Sequence, residues 1–405
     1  MDIDLLGLSQ EQVSIWRVCR DFTDEIVIPF IRENREREWS APPEKRWPKE
    51  LLIAADKLGL RTVGLPEEYG GMKLDALTMV LIIEELARGD PGFAVTLSQN
   101  WKIPALFAGI APKHLQDLWF PRYLDDPTFL WAHCLTEPRG ASDRWLPHNV
   151  PEANMHTKAD FKDGQWVLNG RKQFISNAYL ASLYIVYANT NPDAPLQEGT
   201  SCFLVPRDTP GFHVVRENEK IGQNFIINAE LFFEDCQIPE DHLLVKDTAL
   251  KEAGSYFNAG KVLNAARALG IARSACEETA TYIQDHTQGG KPIIQHQAIA
   301  LRFAEMTTKL ETVRVFVYNA ARALDIGSAN ANLLGLMAKL YASETAFDIC
   351  RHAMEIHGGS GAMREMGIEK HLRDSTILLH TDGTSDIHRL KIVKTMFPKT
   401  AGKYV

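Results

Sequence analysis

The 405-residue sequence has no C-x-x-C pair, no excess of basic residues, no internal repeat and no uninterrupted apolar run long enough to cross a bilayer. Each absence closes off a class of function. The six cysteines, Cys19, Cys134, Cys202, Cys236, Cys276 and Cys350, stand singly. That argues against a zinc site or a disulfide framework and for buried thiols in a reducing compartment. A net charge of -8 gives no basic face for nucleic acid. The first residues carry Asp2 and Asp4 and no basic leader, so no secretory or transit peptide is expected and the cytoplasm is the expected location. What remains is an ordinary globular composition, 45% hydrophobic and 24% charged, with more core than one small domain needs.

Three regions differ in period. Residues 1–127 read as an N-terminal helical domain. Val13, Trp16, Val18, Phe22, Ile26 and Phe30 fall close to a 3.6-residue spacing over Gln10 to Arg37. Pro48 opens a helix that stops at Gly59, Leu65 to Gly71 is turn chemistry, and Asp75 caps a helix running to Gly89. Residues 128–245 change to a period of two. Strands are expected over 129–135, 165–169, 183–188, 201–205, 212–216 and 230–233, with no helices between them, which predicts an antiparallel barrel or sandwich. Residues 246–405 return to long Ala-rich helices, 262–285, 298–326 and 332–357, which predict a C-terminal four-helix bundle. The fold class is therefore α+β and multidomain.

Four segments carry chemistry. They are Leu135-Thr136-Glu137-Pro138-Arg139-Gly140-Ala141-Ser142-Asp143, Gly170 to Asn177, Gly290 to Gln297, and Ile356-His357-Gly358-Gly359-Ser360-Gly361. Any one of them has a plain structural reading: hydroxyls that cap turns, a core phenylalanine, a helix stop. Together, in this order and spacing, they resemble the signatures of the acyl-CoA dehydrogenase family. Leu65 to Gly71 and Glu84-Glu85-Leu86 look like its N-terminal landmarks, so the resemblance covers essentially the whole chain.

The resemblance implies FAD as cofactor and an acyl-CoA thioester as substrate. It implies cofactor contacts from His133, Leu135, Thr136, Ala141, Ser142, Phe174, Ser176, His286, Gln297, Glu355, Gly358, Gly359, Thr384 and Asp386. Phe174 stands where the family has an aromatic wall against the flavin, and Ser176 where it has a hydroxyl near N5, which receives the hydride. The Gly358 to Gly361 segment meets the adenine end of a neighbour's FAD in the family, which makes a homodimer or homotetramer the expected assembly. Two positions depart from the pattern. His286 replaces an arginine that meets the pyrophosphate, and Glu355 replaces a glutamine. A neutral imidazole is a weaker anion partner than a guanidinium.

An α-proton of a thioester is weakly acidic, so a positioned base is required. Asp382, before Gly383-Thr384, stands where most family members have glutamate. Its carboxylate falls short by roughly 1 to 1.5 Å, one methylene, and misplacement of that size costs on the order of a hundredfold. Its pKa is expected to be raised by burial once substrate has expelled water. Some relatives carry the base on a helix at the position of Gly260, followed here by Lys261, so no carboxylate is available there. Asp90, in Gly89-Asp90-Pro91-Gly92, is the second candidate, in a stretch that lines the acyl end of the pocket in the family; the plain reading is a helix cap. An aspartate at each place resembles relatives that oxidise ring thioesters, and nitroalkane oxidases of the superfamily use an aspartate base.

The function expected is therefore an FAD-dependent dehydrogenase passing electrons to an electron-transfer flavoprotein. A flavin oxidase or monooxygenase, and a flavin-binding protein that has lost its chemistry, remain as alternatives. The residues up to Val405 include no basic extension of the kind DNA-protecting relatives carry, so that role is not expected. A longer loop than the family has, Arg144 to Pro151, is expected at the pocket mouth or at a subunit interface.

Overall fold

The computed structural model describes residues 7–140, 142–143 and 150–399. Ala141 and most of the long loop, 144–149, lie outside them. The N-terminal region is helical: α1 (Gln10–Phe22), α2 (Lys49–Lys57), α3 (Ala76–Gly89), α4 (Pro91–Ile110) and α5 (Lys113–Asp125). Ser9 and Gln12 form a reciprocal capping box on α1. The expected continuous helix to Arg37 is interrupted. A π-helical turn follows at Thr23–Val27, and the next segment ends at Glu33. Pro29 has no N–H to donate, which breaks the regular ladder there. Pro48 caps α2 from outside instead of occupying its first turn.

An eight-stranded sheet follows, built from β1 (Trp131–Cys134), β2 (Lys158–Lys162), β3 (Gln165–Ser176), β4 (Leu183–Asn189), β5 (Thr200–Pro206), β6 (Phe212–Glu217), β7 (Asn228–Pro239) and β8 (Leu243–Val245). The order is β6-β7-β3-β2-β4-β5-β8, with β1 beside β4. Most pairings are antiparallel, as expected, but β1 runs parallel to β4. The polar β2 and the short β8 were not anticipated. β3 also runs past Gly170, where a strand end was expected. A Cβ at Gly170 would lie 2.6 Å from Thr157 Cα, so the glycine marks a close approach within the sheet rather than a stop.

The C-terminal bundle consists of α6 (Gly254–Asp285), α7 (Gln297–Asp325), α8 (Ala331–Ile356) and α9 (Ile368–Leu378), with α10 (Ser385–Met396) packed on α8. α6 is central: it contacts α3, α4, α7, α8 and α9. Ala265, Ala266, Ala268, Ala272 and Ala275 are buried along it, and a Cβ at Gly270 would lie 2.4 Å from the Glu84 carbonyl oxygen, so small residues set the α3–α6 approach. Glu84 and Glu85 are structural pins between helices. Arg273 Nη1 donates to Glu85 Oε1 at 2.6 Å, Arg314 Nη2 to Glu84 Oε1 at 3.2 Å, and Tyr318 Oη to Glu84 Oε2 at 2.6 Å. Burial opposes ionisation of Glu84, but Arg314 and Arg273 outweigh it and hold its pKa below the usual value. Among the described residues no helix is long and apolar enough to cross a membrane, and no cluster could hold a metal ion.

Candidate active site

A cavity of about 770 Å3 lies between the sheet and the helical bundle. Its size is that of a small-molecule or cofactor site. His133, Leu135, Thr136, Ser142, Phe174, Ser176, Asp382 and Thr384 all line it. Residues scattered over 250 positions of sequence thus converge on one space.

The loop after β1 is held by Glu137, which accepts Lys172 Nζ at 2.8 Å and the backbone N–H groups of His156 and Thr157 at 2.7 and 2.9 Å. Gln173 N donates to Thr136 O at 2.9 Å, locking this loop against β3. Glu137 is therefore an anchor, and the hydroxyls beside it, Thr136 and Ser142, line the cavity. His133 stacks on Tyr256, ring centroids 4.2 Å apart. Phe174 sits at an irregularity of the β3–β7 pairing, with φ +62°. Such a backbone is uncommon outside glycine and costs on the order of 1 kcal/mol or more. Two asparagines hold it there: Phe174 N donates to Asn218 Oδ1 at 3.0 Å, and Asn228 Nδ2 donates to Phe174 O at 2.9 Å. The ring is 58% exposed, presented to the cavity without packing into the core.

Asp382 also has a left-handed backbone, φ +54°, and Gly383 follows at +100°. Thr384 then caps α10 by accepting from Ile387 N. Two restraints hold the bend. Lys339 Nζ donates to Gly383 O at 2.9 Å, and His388 Nε2 donates to Asp382 O at 3.2 Å. The carboxylate accepts Asn264 Nδ2 at 3.0 Å and lies 4.0 Å from Arg267 Nη2. Burial raises its pKa, but Lys102, Arg267 and Lys339 outweigh it and hold Asp382 down to about 2. Three cations thus hold Asp382 ionised; the upward shift expected once substrate expels water belongs to the complex.

Other candidates lie elsewhere. Asp90 does not line the cavity. It is fully buried, caps α4 by accepting Phe93 N at 2.8 Å, and pairs with Lys370 Nζ at 2.8 Å. Its cap role wins over the expectation of a pocket carboxylate. Asp386 points outward, 89% exposed, against Arg389. A second groove is lined by His286, Gly358 and Gly359 and shares no residue with the cavity. There His286 stacks on Tyr282 (4.7 Å), which stacks on His357 (4.0 Å). Gln297, the first residue of α7, is exposed beside this groove, and Glu355 is drawn off to Arg351 and Arg302.

Sequence reading missed Lys102, Asn264, Arg267 and Lys339. Arg267 did leave a signal, a lone charge in Ala265-Ala266-Arg267-Ala268 on a buried helix face. Lys102 left none, since it follows Trp101 on a helix apolar nearly all round.

The cavity fits a flavin: an exposed aromatic face from Phe174, hydroxyls from Thr136, Ser142 and Ser176, and the buried Asn228 Oδ1 without a hydrogen-bond donor. Comparison with known proteins agrees. The acyl-CoA dehydrogenase N-terminal, middle and C-terminal domains match residues 9–125, 132–236 and 250–397. The chain is 33% identical over 399 residues to an acyl-CoA dehydrogenase of Bacillus subtilis, covering 98% of this chain and 100% of that one. It is 33% identical over 386 residues to the cyclohex-1-ene-1-carbonyl-CoA dehydrogenase of Geobacter metallireducens, covering 95% and 97%. The butyryl-CoA dehydrogenase of Megasphaera elsdenii superimposes with a TM-score of 0.87 at 28% identity, covering 96% of this chain and 99% of that one. In fold, in sequence over nearly its whole length and in the make-up of its cavity, the chain belongs to the acyl-CoA dehydrogenase family, FAD-dependent oxidoreductases.

Proposed function

We propose that the enzyme oxidises an acyl-CoA thioester between its α and β carbons, with Asp382 as proton acceptor and an electron-transfer flavoprotein as electron acceptor. The supporting observation is the Asp382 carboxylate opening into the same cavity as Thr136, Phe174 and Ser176. FAD, when bound, supplies the hydride acceptor. The chain's own residues hold the α-carbon against Asp382 and keep water from the reacting carbons. Asn264 orients the carboxylate, and the Lys339 and His388 contacts to the flanking backbone fix the bend that presents it. Asp382 is ionised at neutral pH and so free to take a proton. Asp90, enclosed under Lys370, offers no second base in the cavity for ring chemistry.

The second groove, with His286, Gly358 and Gly359, supports assembly as a homodimer or homotetramer in which it meets the adenine end of a neighbour's cofactor. Anaerobic mixing of the yellow holoenzyme with a panel of acyl-CoAs tests the reading: bleaching by at least one is expected. Reduced flavin that then reacts rapidly with oxygen would move the enzyme to the oxidases. Silence with every thioester and bleaching by a nitroalkane would change the substrate class.

A further inference from the structure

Lys102 on α4, Arg267 on α6 and Lys339 on α8 are 7%, 5% and 0% exposed, and all three act on one carboxylate, Asp382. Lys339 has a structural task in holding Gly383 O. The other two do not. Lys102 lies over the Tyr256 ring, 4.8 Å from its centroid. A Cβ at Gly260 would make only an ordinary contact with its Nζ, at 3.6 Å. Arg267 lines the cavity, stands 4.0 Å from Asp382, and its buried Nε has no hydrogen-bond acceptor.

Buried charge is retained against a large desolvation cost only when it is paired. Here three cations meet one anion, and one of those cations suffices to balance Asp382. Arg267 lines the cavity in which an acyl group would lie, and Lys102 stands behind Tyr256, another lining residue, so the excess positive charge borders that space. We infer that the acyl group itself carries a carboxylate, which seats against Arg267 with the charge of Lys102 behind it, so that the substrates are CoA thioesters of dicarboxylic acids. This rests on the acyl-CoA dehydrogenase reading above and narrows it. It also resolves the weakness of Asp382 as a base. A substrate anion that engages Arg267, and offsets the charge of Lys102 behind it, weakens their pull on Asp382 and strengthens the base only in the complex with the right substrate.

The test compares binding and turnover in the FAD-loaded enzyme for three pairs of equal backbone length: succinyl- and butyryl-CoA, glutaryl- and pentanoyl-CoA, adipyl- and hexanoyl-CoA. Binding is read from the perturbation of the bound flavin spectrum, and turnover from anaerobic bleaching. In at least one pair the carboxylated thioester should bind about ten- to a hundredfold tighter, as for a site built around a charged group. Arg267→Gln and Lys102→Gln should each erase that preference, and Arg267→Lys should restore part of it. If a variant does not hold FAD, the wild-type pairs and the salt dependence of their affinity ratio decide. Equal or tighter binding of the neutral partner in every pair overturns the inference, even where neutral thioesters bleach the flavin and the dehydrogenase reading stands. If no thioester bleaches it, that reading falls, while the binding preference still decides this one.

Discussion

Asp382 Oδ2 lies 4.0 Å from Arg267 Nη2, closer than two unrelated charges but too far for a direct hydrogen bond. The carboxylate is held by Asn264 instead, at 3.0 Å. The guanidinium makes no direct hydrogen bond to the carboxylate and lines the cavity beside it.

Asp382→Asn keeps the size of the side chain and its contact with Asn264 but cannot take a proton. Flavin reduction by the best acyl-CoA should slow by about a hundredfold or more, with binding of that thioester retained. Stopped-flow absorbance under anaerobic conditions reads both. Near-full reduction in this variant would move the base elsewhere.

Asp90→Asn should leave the chemistry and weaken the fold. Burial opposes charge on Lys370, but Asp374, Asp90 and Glu38 outweigh it and hold its pKa well above the usual ammonium range. Asparagine caps a helix about as well as aspartate, so the variant isolates the 2.8 Å ion pair with Lys370. A loss of about 1–3 kcal/mol in urea unfolding is expected. Unchanged stability with abolished flavin reduction would make Asp90 the base after all.

His388 should set part of the acid sensitivity. Burial, then Lys339 and Lys391, hold its imidazole down to about 3, from an ordinary value of 6.5. Its stabilising contribution is complete above 6.5. As pH falls from there toward 3, the unfolded chain takes up a proton that the native state refuses, and stability is lost. Wild type should therefore lose up to about 1.4 kcal/mol more per pH unit than His388→Gln across that window. Parallel curves of unfolding free energy against pH for the two proteins would contradict the assignment.

Phe174→Gly separates strain from function. Glycine adopts φ +62° freely, so the cofactor-free protein should unfold about 1 kcal/mol harder. Loss of the ring should at the same time weaken FAD binding, read as a higher dissociation constant by flavin fluorescence. Weaker FAD binding without gain in stability would mean that the two asparagines impose no strain.

Much of this was legible in order and period. The switch from a 3.6-residue to a two-residue spacing and back placed the helices and most strands, because each face must bury apolar side chains at the spacing of its own backbone. Turn and cap chemistry marked Asp75 and the Leu65 to Gly71 turn, since these depend on neighbours in sequence. The four motifs identified the family because their order along the chain is itself the signal.

What sequence could not carry was pairwise geometry at long range. The need for glycine at position 170 of β3 comes from Thr157 of another segment, whose Cα would lie 2.6 Å from a Cβ there. Asp90 is paired with Lys370, 280 residues away, and does not line the cavity. The charge on Asp382 was decided by Lys102, Arg267 and Lys339, contributed by three different helices. Sequence by itself determined most of the elements, because local spacing and local turns specify these, and the order of its motifs carried the resemblance that put Asp382 forward as the base. Tertiary structure alone decided which charges meet, since electrostatic energy depends on distance through space and on burial, and neither is written in the spacing of a chain.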